Sequence, residues 1–497
     1  MPHLIDVLRE LTVGSRIAED EADELAAYFV ETDQFRRILA GEIDLIFGPK
    51  GSGKSAIYAS ILSRTDELFD RGITIKSGEI PRGTPAFNDI VADPPTSEIE
   101  FVALWKFYVL SLINEVLEDF DVETAEARKV RDVLAASGLA PAAGGLRGLV
   151  RRVRDYVQRL VNAEAVEGGL VFDPSTGGPV GVTGKIVLGE PPAALRHEGV
   201  VTVDDLLEMA NQALAESGVS LWLLFDRLDV AFADTPELEA NALRSLFRVY
   251  LDLLQYDAIR LKIFLRTDIW DAINEKGFRE ASHLTRDATL SWSEGSLLNL
   301  VVRRLLNNPL LVEFTAADAT EVMEDASGQR EWFDSLVPYQ IDSGRNPKTF
   351  EWILGRVSDG NGVVAPREVI HVLDQARQSQ LASLERGEPE PDESFVFTRG
   401  AFREALPEVS RVRVEQTLYA EYPDLKARIE ALREEKTNQN LESLTDLWAV
   451  PRDEAILIAE RLADVGFFSK RGEKSDPEYW VPFLYRPALS MIQGTAE

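Results

Sequence analysis

The most specific chemical signal in this sequence is a glycine-rich octapeptide. Residues 48–55 read GPKGSGKS and match the phosphate-binding pattern G-x-x-x-x-G-K-[ST] at every required position. Glycines let the backbone curl, so that successive N–H groups point into one concavity at the positive end of the following helix. An apolar run before the motif and a helical pattern after it distinguish it from a chance glycine-rich turn. The motif predicts a nucleotide-binding site formed by Gly48, Pro49, Lys50, Gly51, Ser52, Gly53, Lys54 and Ser55.

Two side chains of this motif have predicted roles of their own. We expect the Lys54 ammonium to contact the β- and γ-phosphates and the Ser55 hydroxyl to take one position on Mg²⁺. The apolar run 221–225 ends at Asp226, and Mg²⁺ prefers one or two carboxylates together with several waters. Asp226 is therefore the second candidate metal ligand, and Asp229 is the candidate for orienting or activating the attacking water. Both aspartates have an alternative interpretation as capping residues of a solvated strand-to-helix turn.

Several polar residues farther along are candidates for sensing the nucleotide. Arg266 and Thr267 stand at the end of another apolar run, where we expect either a γ-phosphate sensor or a salt-bridged surface turn. Arg279 and Arg286 follow the next helical pattern, in a position from which a positive charge could reach a neighbouring subunit's nucleotide. Arg345 opens a cationic turn before a helix, which predicts either a lid over the nucleotide or an ordinary capped turn.

Alternating strands and helices must position these side chains. Short apolar runs separated by helical patterns predict an α/β fold, a parallel sheet with helices on both faces. The predicted strands of this sheet are residues 42–47, 73–77, 220–225, 259–266 and 288–292.

The spacing of these elements predicts a P-loop core with additions. We expect the core at 1–310, with a helical and hairpin insertion at about 78–200, of which 167–194 is the hairpin or loop part. A helical lid is predicted at 311–384. A helical, winged-helix-like C-terminal domain is predicted at 394–497, in which helices at 440–450 and 451–469 precede a two-stranded wing at 479–487.

Composition excludes several kinds of site. The chain has 497 residues, and 53 Lys and Arg against 84 Asp and Glu give a net charge of −31. It contains no cysteine, which excludes disulfides, thiolate metal sites and a cysteine nucleophile. Its four histidines are scattered, its first residues are too acidic for a secretory signal, and no apolar run approaches about 18 residues. We expect a cytoplasmic protein without membrane contact.

Charge also bears on partners. A winged helix often binds DNA, but between residues 440 and 497 six Lys and Arg against ten Asp and Glu give −4. Duplex binding needs clustered positive charge, so protein docking is favoured. DNA remains the alternative, supported by Lys470, Arg471 and Lys474 in the wing and by a basic amphipathic helix at 146–161.

These motifs together resemble a known group of ATPases. The KGSGKSA segment, FDRLD at 225–229, LRTDIW at 265–270 and RNPK at 345–348 are similar to the STAND, KAP and Orc-like branch of the AAA+ P-loop ATPases, closest to those of prokaryotic defence systems. The resemblance covers about residues 15–75 and 200–360. It implies Mg²⁺-ATP binding, slow or triggered hydrolysis and nucleotide-dependent self-assembly, with metal at Ser55 and Asp226 and catalysis by Lys54, Asp226 and Asp229.

The resemblance also suggests a biological role. It implies a homo-oligomeric ATPase whose nucleotide state signals to a partner effector, as in antiviral defence. One departure bears on hydrolysis, because many relatives carry a glutamate directly after the metal aspartate and this chain has Arg227 there. The alternatives are a DNA-associated AAA+ initiator or motor and a nucleotide-stabilised scaffold without turnover.

Overall fold

The computed structural model describes most of the chain. The described residues are 2–15, 28–78, 97–139, 145–167, 186–187, 201–228, 236–275, 277–391, 395–473 and 476–496. They divide into two compact units. The sheet unit comprises Asp33–Gly48 and Lys54–Leu290, and the C-terminal unit comprises Met1–Thr32, Pro49–Gly53 and Ser291–Glu497.

Helices make up most of both units. In chain order they are α1 (Leu4–Glu10), α2 (Asp33–Leu39), α3 (Lys54–Ser63), α4 (Thr65–Asp70), α5 (Glu98–Asp119), α6 (Ala125–Ala136), α7 (Gly145–Glu167), α8 (Val203–Glu216), α9 (Pro236–Leu253), α10 (Thr267–Glu275), α11 (Glu294–Leu306), α12 (Pro309–Thr315), α13 (Ala319–Glu324), α14 (Ala326–Leu336), α15 (Thr349–Val357), α16 (Pro366–Glu385), α17 (Arg399–Arg413), α18 (Tyr419–Glu421), α19 (Lys426–Glu430), α20 (Leu441–Trp448) and α21 (Arg452–Asp464). A 3₁₀ turn covers Arg279–His283, and a π-helical turn covers Val414–Leu418.

The strands fall into separate sheets. They are β1 (Leu45–Gly48), β2 (Ile73–Ser77), β3 (Ile186–Val187), β4 (Val201–Thr202), β5 (Ser220–Phe225), β6 (Ile259–Arg266), β7 (Asp287–Thr289), β8 (Lys436–Asn440), β9 (Ser469–Glu473), β10 (Asp476–Trp480) and β11 (Ile492–Thr495). Within the described ranges, none of the helices is both long enough and apolar enough to cross a membrane.

The sheet unit is built on an entirely parallel sheet. Its five strands lie in the order β2-β5-β6-β1-β7, and each neighbouring pair is parallel. The predicted α/β fold class is thereby confirmed. Because parallel strands end at the same edge, the residues that follow β1, β5 and β6 meet at one edge of this sheet.

Both faces of this sheet are covered, as the continuous apolar runs predicted. On one face, alternate strand residues such as Leu223 and Ile263 belong to a core shared with α5, α7, α8 and α9. On the other face, the Tyr58 ring of α3 packs edge-on against Phe264 of β6, with ring centroids 5.6 Å apart. The sheet is therefore a rigid base for the loops at its edge.

The predicted insertion is helical over α5, α6 and α7. Within the expected hairpin or loop part, Ile186–Val187 form β3, but β3 pairs in parallel with β4, so these two strands do not form a hairpin. The remainder of 167–194 lies outside the described residues. In α7 the buried side chains Leu149, Val153 and Tyr156 form one face, while Arg151 is exposed.

The C-terminal unit contains the predicted winged-helix order. After β8 come α20, α21, β9 and β10, and the sheet order is β11-β8-β10-β9. The unit boundaries differ from the predicted domains, because residues 1–32 and 291–310 belong to this unit and not to the sheet unit. The physical reason is burial, since Leu4, Val7 and Leu8 of α1 lie in the same hydrophobic core as α16 and α17.

Candidate functional site

The glycine-rich loop connects a buried strand to a helix, as predicted. β1 is buried along its whole length and ends at Gly48, and α3 begins at Lys54. Gly51 and Gly53 have φ angles of +81° and +98°, a region that glycine adopts without steric cost. The Ser52 N–H donates to the Pro49 carbonyl at 3.2 Å and tightens the turn. Local sequence therefore sets the curled backbone.

The Lys54 side chain turns back toward the start of the loop. Its ammonium donates to the Gly48 carbonyl at 2.7 Å. The charge is thereby held at the beginning of α3, where the helix N-terminus also favours anions. This is the arrangement that a phosphate-binding role for Lys54 requires.

The two candidate metal ligands lie together. The Ser55 hydroxyl donates to the Asp226 carboxylate at 3.2 Å, although the two residues are 171 positions apart. Asp226 follows β5 directly and is only 7% exposed. A hydroxyl and a carboxylate are oxygen ligands of the kind that Mg²⁺ binds. The geometry fits the predicted pair, and the metal role itself stays a prediction.

Two further candidate positions, 227 and 229, follow Asp226 closely in the chain. Arg227, at the position where the resemblance implies a glutamate, has a φ of +60°, which is uncommon for a residue with a side chain. Asp229 lies outside the described residues, so its catalytic role stays a prediction. The candidate Arg266 stands on β6, between β1 and β5, in direct register with Gly48.

Arg266 makes the salt bridge that one of its two interpretations expects, and its sensor role stays a prediction. It is next to the first residue of the loop, and its guanidinium makes a two-bond contact with Asp268, at 3.0 and 2.6 Å. Thr267 opens α10, and its buried hydroxyl makes no hydrogen bond within the described part of the chain. Arg266 is thus part of a salt-bridged turn, and Thr267 is the side chain placed to donate or accept a further hydrogen bond.

Arg286 lies at the opposite end of β1 from the loop. Its Nε contacts the carboxylate of Asp44 at 2.5 Å, and the Lys262 ammonium contacts the same carboxylate at 3.0 Å. Burial lowers the pKa of Lys262 to about 8, while the Asp44 charge opposes that shift. Burial and the Asp44 charge raise the pKa of Tyr250, whose hydroxyl also donates to Asp44.

The contact with Asp44 gives Arg286 a structural role that the sequence analysis did not anticipate. Its predicted reach to a neighbouring nucleotide stays untested. Arg279 is exposed in the 3₁₀ turn, and Arg345 is exposed in the turn before α15. In that turn Lys348 pairs with Asp334 at 3.5 Å but makes no side-chain capping hydrogen bond to α15, and the lid role stays a prediction.

The middle of the loop, Pro49–Gly53, contacts other residues of the C-terminal unit to which it belongs. The Trp292 indole N–H donates to the Ser52 carbonyl at 2.8 Å. A Cβ added to Gly51 would lie 3.2 Å from the Cβ of Arg367, the second residue of α16. Sequence reasoning missed Arg367 and Trp292, because nothing in their local sequence relates them to a loop more than two hundred residues away.

Comparisons with known proteins give distant similarities of overall fold. Neither the family models nor the curated proteins compared with this chain match it. It is similar to the solved Walker-type ATPase of Pyrococcus abyssi at 11% identity, covering 92% of this chain and 95% of that one, with a TM-score of 0.37. It is also similar to the Orc2 protein of Aeropyrum pernix in its ADPNP–ADP complexes, at 13% identity, 95% and 93% coverage and a TM-score of 0.31. Similarities this distant carry no inference about activity.

Proposed function

We propose that this protein binds ATP with Mg²⁺ at residues 48–55 and hydrolyses it slowly or only when triggered. The observation that carries the proposal is the 3.2 Å contact between Ser55 and Asp226 beside a complete phosphate-binding motif. A chance glycine-rich turn gives no reason for a buried carboxylate from another strand to meet its serine. The pairing is the arrangement that a nucleotide-bound magnesium ion requires.

Each part of the loop has a defined task in this proposal. Backbone N–H groups and the start of α3 hold the phosphates, and the Lys54 ammonium moves from the Gly48 carbonyl to a phosphate oxygen. Ser55 and Asp226 hold Mg²⁺, which when bound offsets the charge of the triphosphate. The stem of Arg367 lies against Gly51, so its guanidinium is a further candidate for contacting the phosphates.

The expected turnover is slow. Where the resemblance implies a glutamate that would activate water, this chain has Arg227 in a left-handed backbone conformation. An arginine side chain cannot take a proton from water, because its guanidinium has hydrogen-bond donors and no acceptor. Asp229 is then the proposed catalytic carboxylate, and Thr267 is the proposed sensor that hydrogen-bonds the γ-phosphate or its water.

The proposed biological role is control of self-assembly and of signalling to a protein effector, with antiviral defence as the setting that the resemblance suggests. The surface of the C-terminal module supports protein docking over DNA. On α21, the helix that would enter a DNA groove, Leu457 is 71% exposed and Asp453 and Glu454 are exposed beside it. In the wing, Lys470 pairs with Glu460, which reduces the positive charge offered to phosphates.

A fluorescent-ATP titration with and without Mg²⁺ tests the binding proposal. Loss of one charge-assisted phosphate contact costs about 1.5–3 kcal/mol, so Lys54→Ala should weaken binding about 10- to 150-fold. The matched control is Lys129→Ala, which removes an exposed lysine on α6 and should bind like the parent. Absence of ATP binding by the parent, or equal binding by both variants, would contradict the proposal.

Assembly and turnover are tested on the same preparations. Mass photometry with and without ATP should show a change in oligomer size for the parent and none for Lys54→Ala. A phosphate-release assay should show slow turnover that Asp229→Ala abolishes. Rapid turnover in Asp229→Ala would exclude that residue as the catalytic carboxylate, and an ATP-independent oligomer size would exclude the assembly role.

A further inference from the structure

The loop contains a second lysine, Lys50, and its ammonium pairs with a carboxylate outside the loop. The Lys50 ammonium lies 2.6 Å from the Glu421 carboxylate. It also donates to the main-chain carbonyl of Gln416 at 3.4 Å. The Glu421 side chain is only 10% exposed, so water screens this ion pair less than an ordinary surface pair.

Glu421 belongs to a segment that continues from α17 into the C-terminal module. We call Val414–Glu421 the latch segment, which comprises the π-helical turn and α18. Its residues Val414 and Leu418 are buried in the core that also contains Tyr479 and Tyr485 of the C-terminal module. Loss of the Lys50–Glu421 ion pair therefore affects the latch segment, which is packed into that module.

A second buried contact ties the same region to the helix that carries Arg367. Glu368, the next residue of α16, pairs with Arg413 at 2.9 Å, and both side chains are largely buried. Arg413 is the last residue of α17 and immediately precedes the latch segment. The loop thus meets one C-terminal assembly at two places, through Lys50 at the latch segment and through Gly51 at the start of α16.

Electrostatics determines how nucleotide binding and the Lys50–Glu421 ion pair affect one another. A triphosphate bound in the loop would attract the Lys50 ammonium, because an ammonium and a phosphate oxygen form a charge-assisted hydrogen bond. The same ammonium cannot keep its close contact with Glu421 while it does so. The negative Glu421 carboxylate also repels the phosphates, so the pair and the bound nucleotide oppose one another.

We propose that Glu421 is a built-in competitor for Lys50, and that binding of a nucleoside triphosphate draws Lys50 to the phosphates and releases the latch segment. This inference rests on the proposed ATP binding and names its regulation. Because coupling between binding events is reciprocal, a protein partner that captures the released latch segment strengthens ATP binding by the same factor. The latch segment is therefore the element through which nucleotide occupancy reaches the C-terminal module.

A double-mutant cycle on Mg²⁺-ATP affinity tests the competition. Glu421→Gln keeps the side-chain volume and removes the charge, so it should tighten ATP binding about 3- to 30-fold. In a Lys50→Met background the gain from the same substitution should be clearly smaller, because the contested ammonium is gone and only the repulsion between Glu421 and the phosphates is relieved. Glu415→Gln is the matched control, since Glu415 is an exposed acid of the same segment that pairs with Arg411, and it should leave affinity unchanged.

The outcomes separate this inference from the function on which it rests. No ATP binding by the parent overturns both. Binding by the parent with no gain from Glu421→Gln, or with an equal gain in both backgrounds, overturns the competition alone. Hydrogen exchange gives an independent reading, because amides of Val414–Glu421 should exchange faster when Mg²⁺-ATP is added to the parent. Unchanged or slower exchange of these amides overturns the proposed release.

Discussion

Replacing Asp226 with asparagine is the sharpest test of the proposed metal site. Asparagine keeps the size of the side chain and an oxygen that accepts from the Ser55 hydroxyl, a contact of 3.2 Å in the parent. It removes the negative charge of a residue that is only 7% exposed. The substitution therefore separates the charge of Asp226 from its packing.

The expected loss follows from the electrostatics of the site. At about 4 Å and an effective dielectric constant of about 20, two unit charges interact by about 4 kcal/mol, and a divalent ion doubles that. The loss of hydration by the carboxylate and by the ion offsets much of this attraction. The expected net contribution of the Asp226 charge to Mg²⁺ binding is therefore about 1.5–3 kcal/mol. The Mg²⁺ concentration needed to support ATP binding should rise about 10- to 150-fold.

The assay is an ATP titration repeated at several Mg²⁺ concentrations. Asp132→Asn is the matched control, because it removes an exposed aspartate of α6 and should behave like the parent. The thermal midpoint of Asp226→Asn without Mg²⁺ should stay within about 4 °C of the parent, since no packing is lost. An unchanged Mg²⁺ dependence in a folded Asp226→Asn protein would refute the metal role.

Two further predictions concern Arg367 and the buried Lys262. Arg367→Ala should weaken ATP binding about 10-fold or more. The control is Arg386→Ala, just beyond the far end of α16, which should bind ATP like the parent. Equal affinities of the two variants in a binding titration would show that Arg367 does not contact the nucleotide. In the unfolded chain Lys262 has the ordinary lysine pKa of 10.5, but burial lowers its pKa to about 8 in the folded protein, so its contribution to stability rises with pH across that interval. Denaturant unfolding should show the parent gaining about 2 kcal/mol relative to Lys262→Met between about pH 8 and pH 10, and a parallel pH profile of the two proteins would contradict the assignment.

Local sequence determined the parts of the site that depend on neighbouring residues. The strands expected at 73–77, 220–225 and 259–266 are β2, β5 and β6 with the same bounds. β5 and β6 could be read because strands buried on both faces appear as largely apolar runs. The loop could be read for a similar reason, since its curled backbone needs glycines at fixed spacings. The two helices of the C-terminal module followed from helical periodicity, but the wing expected at 479–487 is formed by β9 and β10, at 469–473 and 476–480.

Only the tertiary structure decided which distant residues meet. That β6 lies between β1 and β5 is a matter of strand pairing, which local propensity does not encode. The same holds for Arg286, whose partner Asp44 is 242 positions away and places it at the amino end of β1. Glu421 and Arg367 reach the loop because α16 and the latch segment pack in one core with each other. The sequence by itself determined a loop able to hold phosphates, and long-range packing decided which charged residues lie next to that loop.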